Sequence, residues 1–401
     1  MSSKVLRVTA ALTVTACLAA LTACTTTGAA TSNTAASSAP LKIGMVVPLT
    51  GGLAALGQGS KDAAELMVAQ LNAAGGVNGQ DIELTIVDDK TDVTEGVKQF
   101  NQLAADPSYS AMLGSSYTQA ATAEGATAES AKIPMIALSP VSAFVDGSNP
   151  YAFTGPATPD VYAKALVDYW KSEDITTVAI GFSADLFGQD GSDATKKYAE
   201  EAGIEVVLDE SHDVFATDFT PLVTKVVAAK PEAFALWSAG PPAVIITAQL
   251  EGKGIPIYGT GAIASSLFIG PAGTAAEGVL AATTASMATT SLPAGDYRDQ
   301  VVALNDAWMT AHQGDPAPEF AYGGAAAVQL LAEAARKAGS TDRESLRNAL
   351  ASLEVVTVAG EYSFADDRHM GLTEENLAIM TVENGAWVPT QYSLDLFAAA
   401  K

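Results

Sequence analysis

The sequence predicts an α/β protein built as two doubly wound parallel-sheet lobes joined by a hinge that the chain crosses several times. Three observations carry this expectation. Residues Ile43 to Asp89 read as a complete βαβ unit. The same alternation of short apolar runs and helical segments recurs to about residue 140 and restarts near residue 160. The chain has 401 residues, 48% of them apolar, which exceeds one compact α/β layer and is enough for two cores of ordinary size.

Taken in order, the opening unit starts with Ile43-Gly44-Met45-Val46-Val47, an apolar run stopped by Pro48 and Gly51, which reads as a buried strand. An Ala-rich stretch with apolar residues at helical spacing follows and ends in the glycine turn Gly75-Gly76-Val77-Asn78-Gly79. Leu84 to Asp89 is the second strand. Thr94 to Ala105 reads as a helix with Val97, Phe100, Leu103 and Ala104 on one face. The strand Ser110–Leu113 runs into Gly114-Ser115-Ser116, a helix spans about 118–131, and the strand Pro134–Leu138 ends at Ser139-Pro140. That makes four parallel strands. Asn149 to Pro159, dense in Pro, Gly and Thr, breaks the rhythm and marks a crossing between lobes.

The alternation then resumes. Helices at about 160–172, 191–202, 218–229 and 242–252 lead to strands at 178–182, 204–208, 233–237 and 255–258, with a further strand at Gly278–Ala282. After residue 284 come helices near 295–312, 322–338 and 342–352, then short strands near 355–358, 362–364 and 378–382. Helices without intervening strands do not make a third sheet. They are expected to cover the first lobe, while the last strands finish the second. The lobes are therefore assigned as 41–156 with 284–358, and 157–283 with 359–401.

The formal charge of −24 is scattered among apolar residues, so no basic face exists for nucleic acid. Lys4 and Arg7 precede the apolar run Val8–Ala20, which ends at Leu21-Thr22-Ala23-Cys24. This pattern resembles the bacterial lipobox and makes residues 1–23 a lipoprotein signal peptide, with Cys24 as the lipidated new N-terminus. Removing Lys4 and Arg7 takes the charge from −24 to −26. The other reading is a secretory peptide cut near Ala30. Cys17 and Cys24 are the two cysteines, so neither scheme leaves the globular domain a disulfide. Residues 24–40 are Thr, Ala, Ser, Gly and Asn-rich and read as a flexible tether.

With these motifs in place, the chain resembles the type I periplasmic solute-binding proteins, in the leucine/isoleucine/valine-binding branch that serves branched-chain amino acid ABC transporters. The resemblance rests on Ile43-Gly44, Pro48-Leu49-Thr50-Gly51, Leu71 to Gly79, and Asp88-Asp89. Further on it rests on Gly114-Ser115-Ser116, Ile133-Pro134 to Ser139-Pro140, Phe187-Gly188, Ala275-Ala276-Glu277-Gly278, and Tyr322 opening an Ala-rich helix. It covers about residues 41–390, in order. It implies a type I periplasmic-binding-protein fold and a monomer that closes on a small solute and presents it to an ABC permease.

Ligands of open α/β sheets sit at the carboxyl ends of the strands. Ser115 and Ser116 stand where a strand gives way to a helix, so their hydroxyls and the free N–H groups of the helix start form a receptor for a carboxylate. By the family pattern, Ser139, the backbone at Val141, and Ser142 complete that clamp. Phe187, Trp237, Ser238 and Gly261 follow from the second lobe, and Leu56 and Tyr322 from the first. One departure stands out. Branched-chain amino-acid binders carry an acid near Gly261 for the solute's ammonium, and Thr260-Gly261-Ala262-Ile263 has none. Either Asp185 or Asp190 reaches in, or the solute is an apolar organic or aromatic acid without an α-ammonium; the more apolar cleft leans to the latter.

Other chemistry has less support. Gly259-Thr260-Gly261-Ala262-Ile263-Ala264 matches a dinucleotide fingerprint, but on a fourth strand containing Pro256 and without a well-placed acid. His212, His312 and His369 stand far apart with no paired cysteine, so no metal and no cofactor is expected. No nucleophile elbow is present, so no catalytic residue is assigned. An extracellular hydrolase, or a ligand-sensing receptor module on the same two lobes, is the alternative. Asp88-Asp89 points to opposite faces of a strand and reads as a capping or hinge pair.

Overall fold

The computed structural model describes residues 39–399. The signal peptide, Cys24 and the tether up to residue 38 lie outside the described residues.

The first lobe is built on β1 (Leu41–Val47), α1 (Ala54–Ala73), β2 (Ile82–Asp88), α2 (Val93–Ala104), β3 (Ala111–Gly114), α3 (Thr118–Ala131), β4 (Met135–Ala137) and β5 (Ala152–Thr154). Its sheet is parallel throughout, in the order β2-β1-β3-β4-β5. Strand β1 lies inside the sheet, between β2 and β3, and is covered on both faces, so six of its seven residues are buried, the exception being Lys42. Asp92 caps α2 by accepting from Glu95 N at 2.7 Å, and Phe100 and Ala104 turn its apolar face to the sheet.

The second lobe runs α4 (Pro159–Ser172), β6 (Thr177–Ser183), α5 (Leu186–Ala202), β7 (Glu205–His212), α6 (Thr220–Ala229), β8 (Ala233–Trp237), α7 (Gly240–Leu250), β9 (Ile257–Thr260), α8 (Ser266–Ala272) and β10 (Leu280–Thr284). Then come α9 (Asp296–Ala311), α10 (Glu319–Ala338), α11 (Arg343–Leu350), β11 (Glu354–Thr357), β12 (Gly360–Ser363), β13 (Leu377–Glu383), β14 (Ala386–Pro389) and α12 (Gln391–Ala399). The second sheet is ordered β14-β13-β10-β9-β8-β6-β7, with β13 and β14 antiparallel. Its parallel part, β7-β6-β8-β9-β10, repeats the strand order of the first lobe. The two doubly wound lobes expected from the sequence are therefore present.

Three differences have physical causes. Strand β5 falls inside the stretch read as a crossing, because three residues between Pro150 and Pro156 carry too little pattern to declare a strand. Strands β11 and β12 pair with each other instead of joining the second sheet. Val358 and Ala359 form a two-residue turn between Thr357 and Gly360, and Gly360 takes φ +137 there, which closes a tight hairpin. The terminal elements β14 and α12 extend the second lobe beyond the strand read at 378–382.

The late helices pack on the first lobe. Helix α10 lies along α1, and α9 also touches α1. Arg343, at the start of α11, donates to the carbonyls of Tyr109, Ala131, Ala104 and Asp106 at 2.8–3.1 Å. The chain thus passes between the lobes after β5, after β10 and again before β13. Tyr362 donates to Gly155 O at 2.7 Å, and Phe153 packs against both Phe364 and His369, so the third passage is bound to the first.

Candidate functional site

The strand order in both sheets places a topological switch point beside β1 and β6, and the loops after the parallel strands border one cleft between the lobes. The cleft region contains about 940 Å³ of space not filled by protein atoms, part of it bulk solvent at the mouth. Its wall is mainly apolar, with Leu53, Leu56, Leu138 and Phe320 on one side and Phe187 and Val214 on the other. Hydroxyls punctuate it at the strand ends: Ser116 and Ser139 from the first lobe, Ser183, Ser238 and Thr260 from the second.

Six of the residues expected from the sequence line this cleft: Leu56, Ser116, Ser139, Phe187, Ser238 and Gly261. Ser139 and Ser238 are each 2% exposed, and neither hydroxyl has a hydrogen-bond partner among the described residues. They come from opposite lobes. Ser116 lies 3.4 Å from Ser60, and the next residue, Tyr117, precedes α3 without a side-chain cap, so first-turn N–H groups of α3 remain for other acceptors.

The other expected residues lie elsewhere. Ser115 is fully buried behind the wall: its hydroxyl donates to Asp89 at 2.5 Å and accepts from Tyr117 N at 3.0 Å, while its N–H donates to Glu124 at 2.9 Å. Val141 is in the core and its N–H donates to Thr154 Oγ1 at 3.1 Å. Ser142 is exposed and is not among the residues that line the cleft. Trp237 is 1% exposed, donates to Thr195 Oγ1 at 2.9 Å and packs edge-on behind Phe187, which it positions. Tyr322 is held in the α9–α10 packing by Asn305 at 2.9 Å. Ser115, Trp237 and Tyr322 turn their side chains into the packing behind the wall, a choice of face that a period of two or 3.6 leaves open when neighbours on both faces are apolar.

Two acids, Asp185 and Glu319, line the cleft. Asp185 lines the cleft, but its Oδ1 accepts from Gly188 N at 2.9 Å and from Ser183 at 2.7 Å, so it caps α5. Asp190 is not among the lining residues. Glu319, the first residue of α10, is. A Cβ on Gly261 would stand 2.4 Å from Glu319 Cγ and 2.9 Å from its Oε1. The carboxyl accepts from Thr284 N at 3.0 and 3.1 Å, from Thr284 Oγ1 at 2.9 Å and, more weakly, from Tyr162 at 3.4 Å. Burial raises its pKa to about 7. Sequence reading started this helix at 322 and so missed the residue; the available signal was an acid directly after Pro318, an ordinary helix-start pattern.

A second acidic group lies behind the first-lobe wall. Burial raises Glu124 to about 8 and Asp89 to about 6, and Ser115 bridges them. Asp88 accepts from Leu49 N at 2.8 Å, Thr50 Oγ1 at 2.6 Å and Lys90 N at 2.8 Å, and Asp89 from Thr91 N at 2.8 Å. The pair holds the turns that follow β1 and β2.

Two lobes of one strand order, facing each other across a cleft lined from the strand ends, define a solute-binding protein of the type I periplasmic class. The sequence profile of the periplasmic binding proteins matches residues 40–386, and the chain belongs to that family. It is similar to a leucine-, isoleucine-, valine-, threonine- and alanine-binding protein of Pseudomonas aeruginosa, at 28% identity over 81% of this chain and 85% of the relative. Among solved structures, an extracellular ligand-binding receptor from Rhodopseudomonas palustris superposes with a TM-score of 0.82 at 27% identity, covering 88% of this chain and 100% of the other. The fold is also that of a branched-chain amino acid transporter substrate binding protein from Streptococcus pneumoniae solved with isoleucine, TM-score 0.76 at 24% identity, covering 88% and 100% of the two chains.

Proposed function

We propose that this protein is a lipid-anchored, extracytoplasmic receptor that closes its lobes on a small apolar solute bearing a carboxylate and delivers it to an ABC permease. The observation that carries the reading is the pair Ser139 and Ser238, buried hydroxyls from opposite lobes that face one apolar cleft without partners. A buried hydroxyl left unpaired costs about 1–3 kcal/mol, and a solute carboxylate between the lobes supplies acceptors for both. Donors from Ser116 and the uncapped start of α3 complete the receptor on the first-lobe side. Phe187, backed by Trp237, and Leu56 face the apolar body. Closure is favoured because each lobe's contacts to the solute are complete only when the other is in place.

The name of the Pseudomonas relative supports an amino acid as the solute, and the apolar wall supports a hydrophobic one. The reading as a binding protein is supported further by the relatives, which are named for binding. The test is a thermal-shift screen of the purified globular domain with apolar amino acids and apolar organic acids, followed by product analysis. Saturable stabilisation with the solute recovered unchanged is expected; a chemically altered solute overturns the reading in favour of an enzyme. In cells, Cys24→Ala is expected to move the protein from the membrane to the soluble fraction, and retention on the membrane would remove the lipid anchor.

A further inference from the structure

Resting on the reading of the α3 start as the receptor for the solute's carboxylate, we infer that binding is coupled to proton uptake by Glu124 and Asp89, a carboxyl pair sealed behind that receptor. The solute is then held more tightly in mildly acidic than in mildly alkaline medium. Glu124 does not line the cleft and acts through the helix it stands on, as a positioning residue.

Glu124 and Asp89 are each 0% exposed. Ser115 joins them: its N–H donates to Glu124 Oε2 at 2.9 Å and its hydroxyl to Asp89 Oδ2 at 2.5 Å. Glu124 Oε1 has no hydrogen-bond partner among the described residues. The carboxyl is held in place by α2 and β3, which approach it through glycines. A Cβ on Gly96 would stand 3.2 Å from Oε1, and one on Gly114 would stand 2.9 Å from Oε2. An ionised Glu124 would therefore keep a charged oxygen in the core with no donor to it, whereas the protonated form carries its hydrogen there.

No countercharge offsets the pair. The end of β2 and the turn after it bring Asp88 and Lys90, and α2 and its cap bring Asp92 and Glu95, while β3 and β4 present Gly114 and Met135. The charges that bear on Asp89 are those of Asp88 and Asp92, and the one that bears on Glu124 is that of Asp89. Lys90 is exposed and reaches to Glu95 at 3.8 Å. From the second lobe, the group that acts on the α3 start is Asp185, again an acid. Two buried carboxyls joined by one serine in such surroundings do not both stay ionised near neutrality. Burial, with Asp89 beside it, raises Glu124 to about 8, and burial raises Asp89 to about 6, so the pair holds a proton through most of that interval.

Ser116, Tyr117 and Thr118, which follow Ser115 directly, line the cleft, and Glu124 stands about two turns along the same helix. A solute carboxylate at the helix start adds a further negative charge to one low-dielectric wall. At an effective dielectric of about 20, a charge about 8 Å away raises a carboxyl's pKa by about one to two units. The sign follows from linkage. The neutral form of Glu124 is the one compatible with the bound anion, so binding takes up a proton. Affinity rises as pH falls through about 8 and levels off once Glu124 is protonated in the free protein.

Calorimetric titration with leucine and with 4-methylpentanoate, in buffers of different protonation enthalpy, counts the protons taken up per solute. At about pH 8 the wild type is expected to take up about 0.4 proton or more with whichever probe binds, and to bind it about threefold more tightly at about pH 6.5 than at about pH 8.5. Glu124→Gln imitates the neutral acid. It is expected to lower the count by about 0.3 proton or more and to reduce the affinity ratio by about threefold. Titration of Glu319 or of the probe itself is common to both proteins and cancels in the difference. A purely structural effect of the substitution would change affinity by one factor at every pH. In case Glu124→Gln folds poorly, Glu124→Met removes the same titrating group and carries the same expectation. A wild type that takes up no proton, or a count and pH profile shared by wild type and variant, overturns the coupling and leaves the carboxylate receptor standing. Binding of neither probe overturns both readings together.

Discussion

At the scale of single residues, Ser115 lies behind the cleft wall where the sequence pattern expects it to line the cleft, and Glu319, to which that pattern assigns no role, is part of the wall. Ser115 stands at a strand end, as expected, but its hydroxyl turns inward and joins Asp89 to the backbone before α3. Ser115→Ala is therefore expected to lower stability by about 1–3 kcal/mol, by removing the donor to Asp89 Oδ2 and the acceptor of Tyr117 N, and to leave solute affinity within about threefold. Parallel melting and titration of the variant check this; lost affinity with an unchanged melting temperature would return Ser115 to the cleft. Glu319 was illegible for a different reason. Its partners Thr284 and Gly261 come from separate strand ends, and Thr284 is 35 residues away in sequence, beyond the reach of any local pattern. By contrast Ser139 and Ser238 were legible, because a small polar residue directly after a buried apolar strand has one place to go at a cleft-facing edge.

At the scale of elements, the α1–α10 pair positions both Leu56 and Glu319. The two helices approach closely enough that a Cβ on Gly324 would sit 2.2 Å from Ser60 O, and one on Gly59 would sit 2.5 Å from the Phe320 ring. Ser60 also donates to Phe320 O at 3.1 Å, tying the start of α10 to α1. Gly324→Ala is expected to cost about 1–3 kcal/mol through overpacking against backbone, and to weaken solute binding by displacing Glu319 and Phe320. Chemical denaturation and calorimetry of that variant test the coupling, and an unaltered midpoint would show that the helices have room to spare. The helices themselves were readable from spacing, as were most strands. What spacing could not give was the partner of each face. The hairpin of β11 and β12 shows this: its residues read as strands, and only Val358-Ala359-Gly360, a turn too tight for a longer excursion, keeps them out of the second sheet.

At the scale of the whole molecule, the repeated order 2-1-3-4-5 brings two sets of strand ends to one cleft, and three passages of the chain tie the lobes together behind it. That plan was legible from the restart of the βαβ rhythm near residue 160 and from the resumption of helices after 284. The specificity of the cleft was not, because it is assembled from residues of both lobes and of the hinge-proximal start of α10. The central claim is that a solute is clamped between hydroxyls contributed by the two lobes. It is tested most directly by titrating wild type and the double variant Ser139→Ala, Ser238→Ala with the solute found in the screen. The expected result is one saturable site in the wild type and an affinity loss of about 30-fold or more in the double variant, with the unliganded melting temperature unchanged or raised. Equal affinity in the two proteins would contradict it.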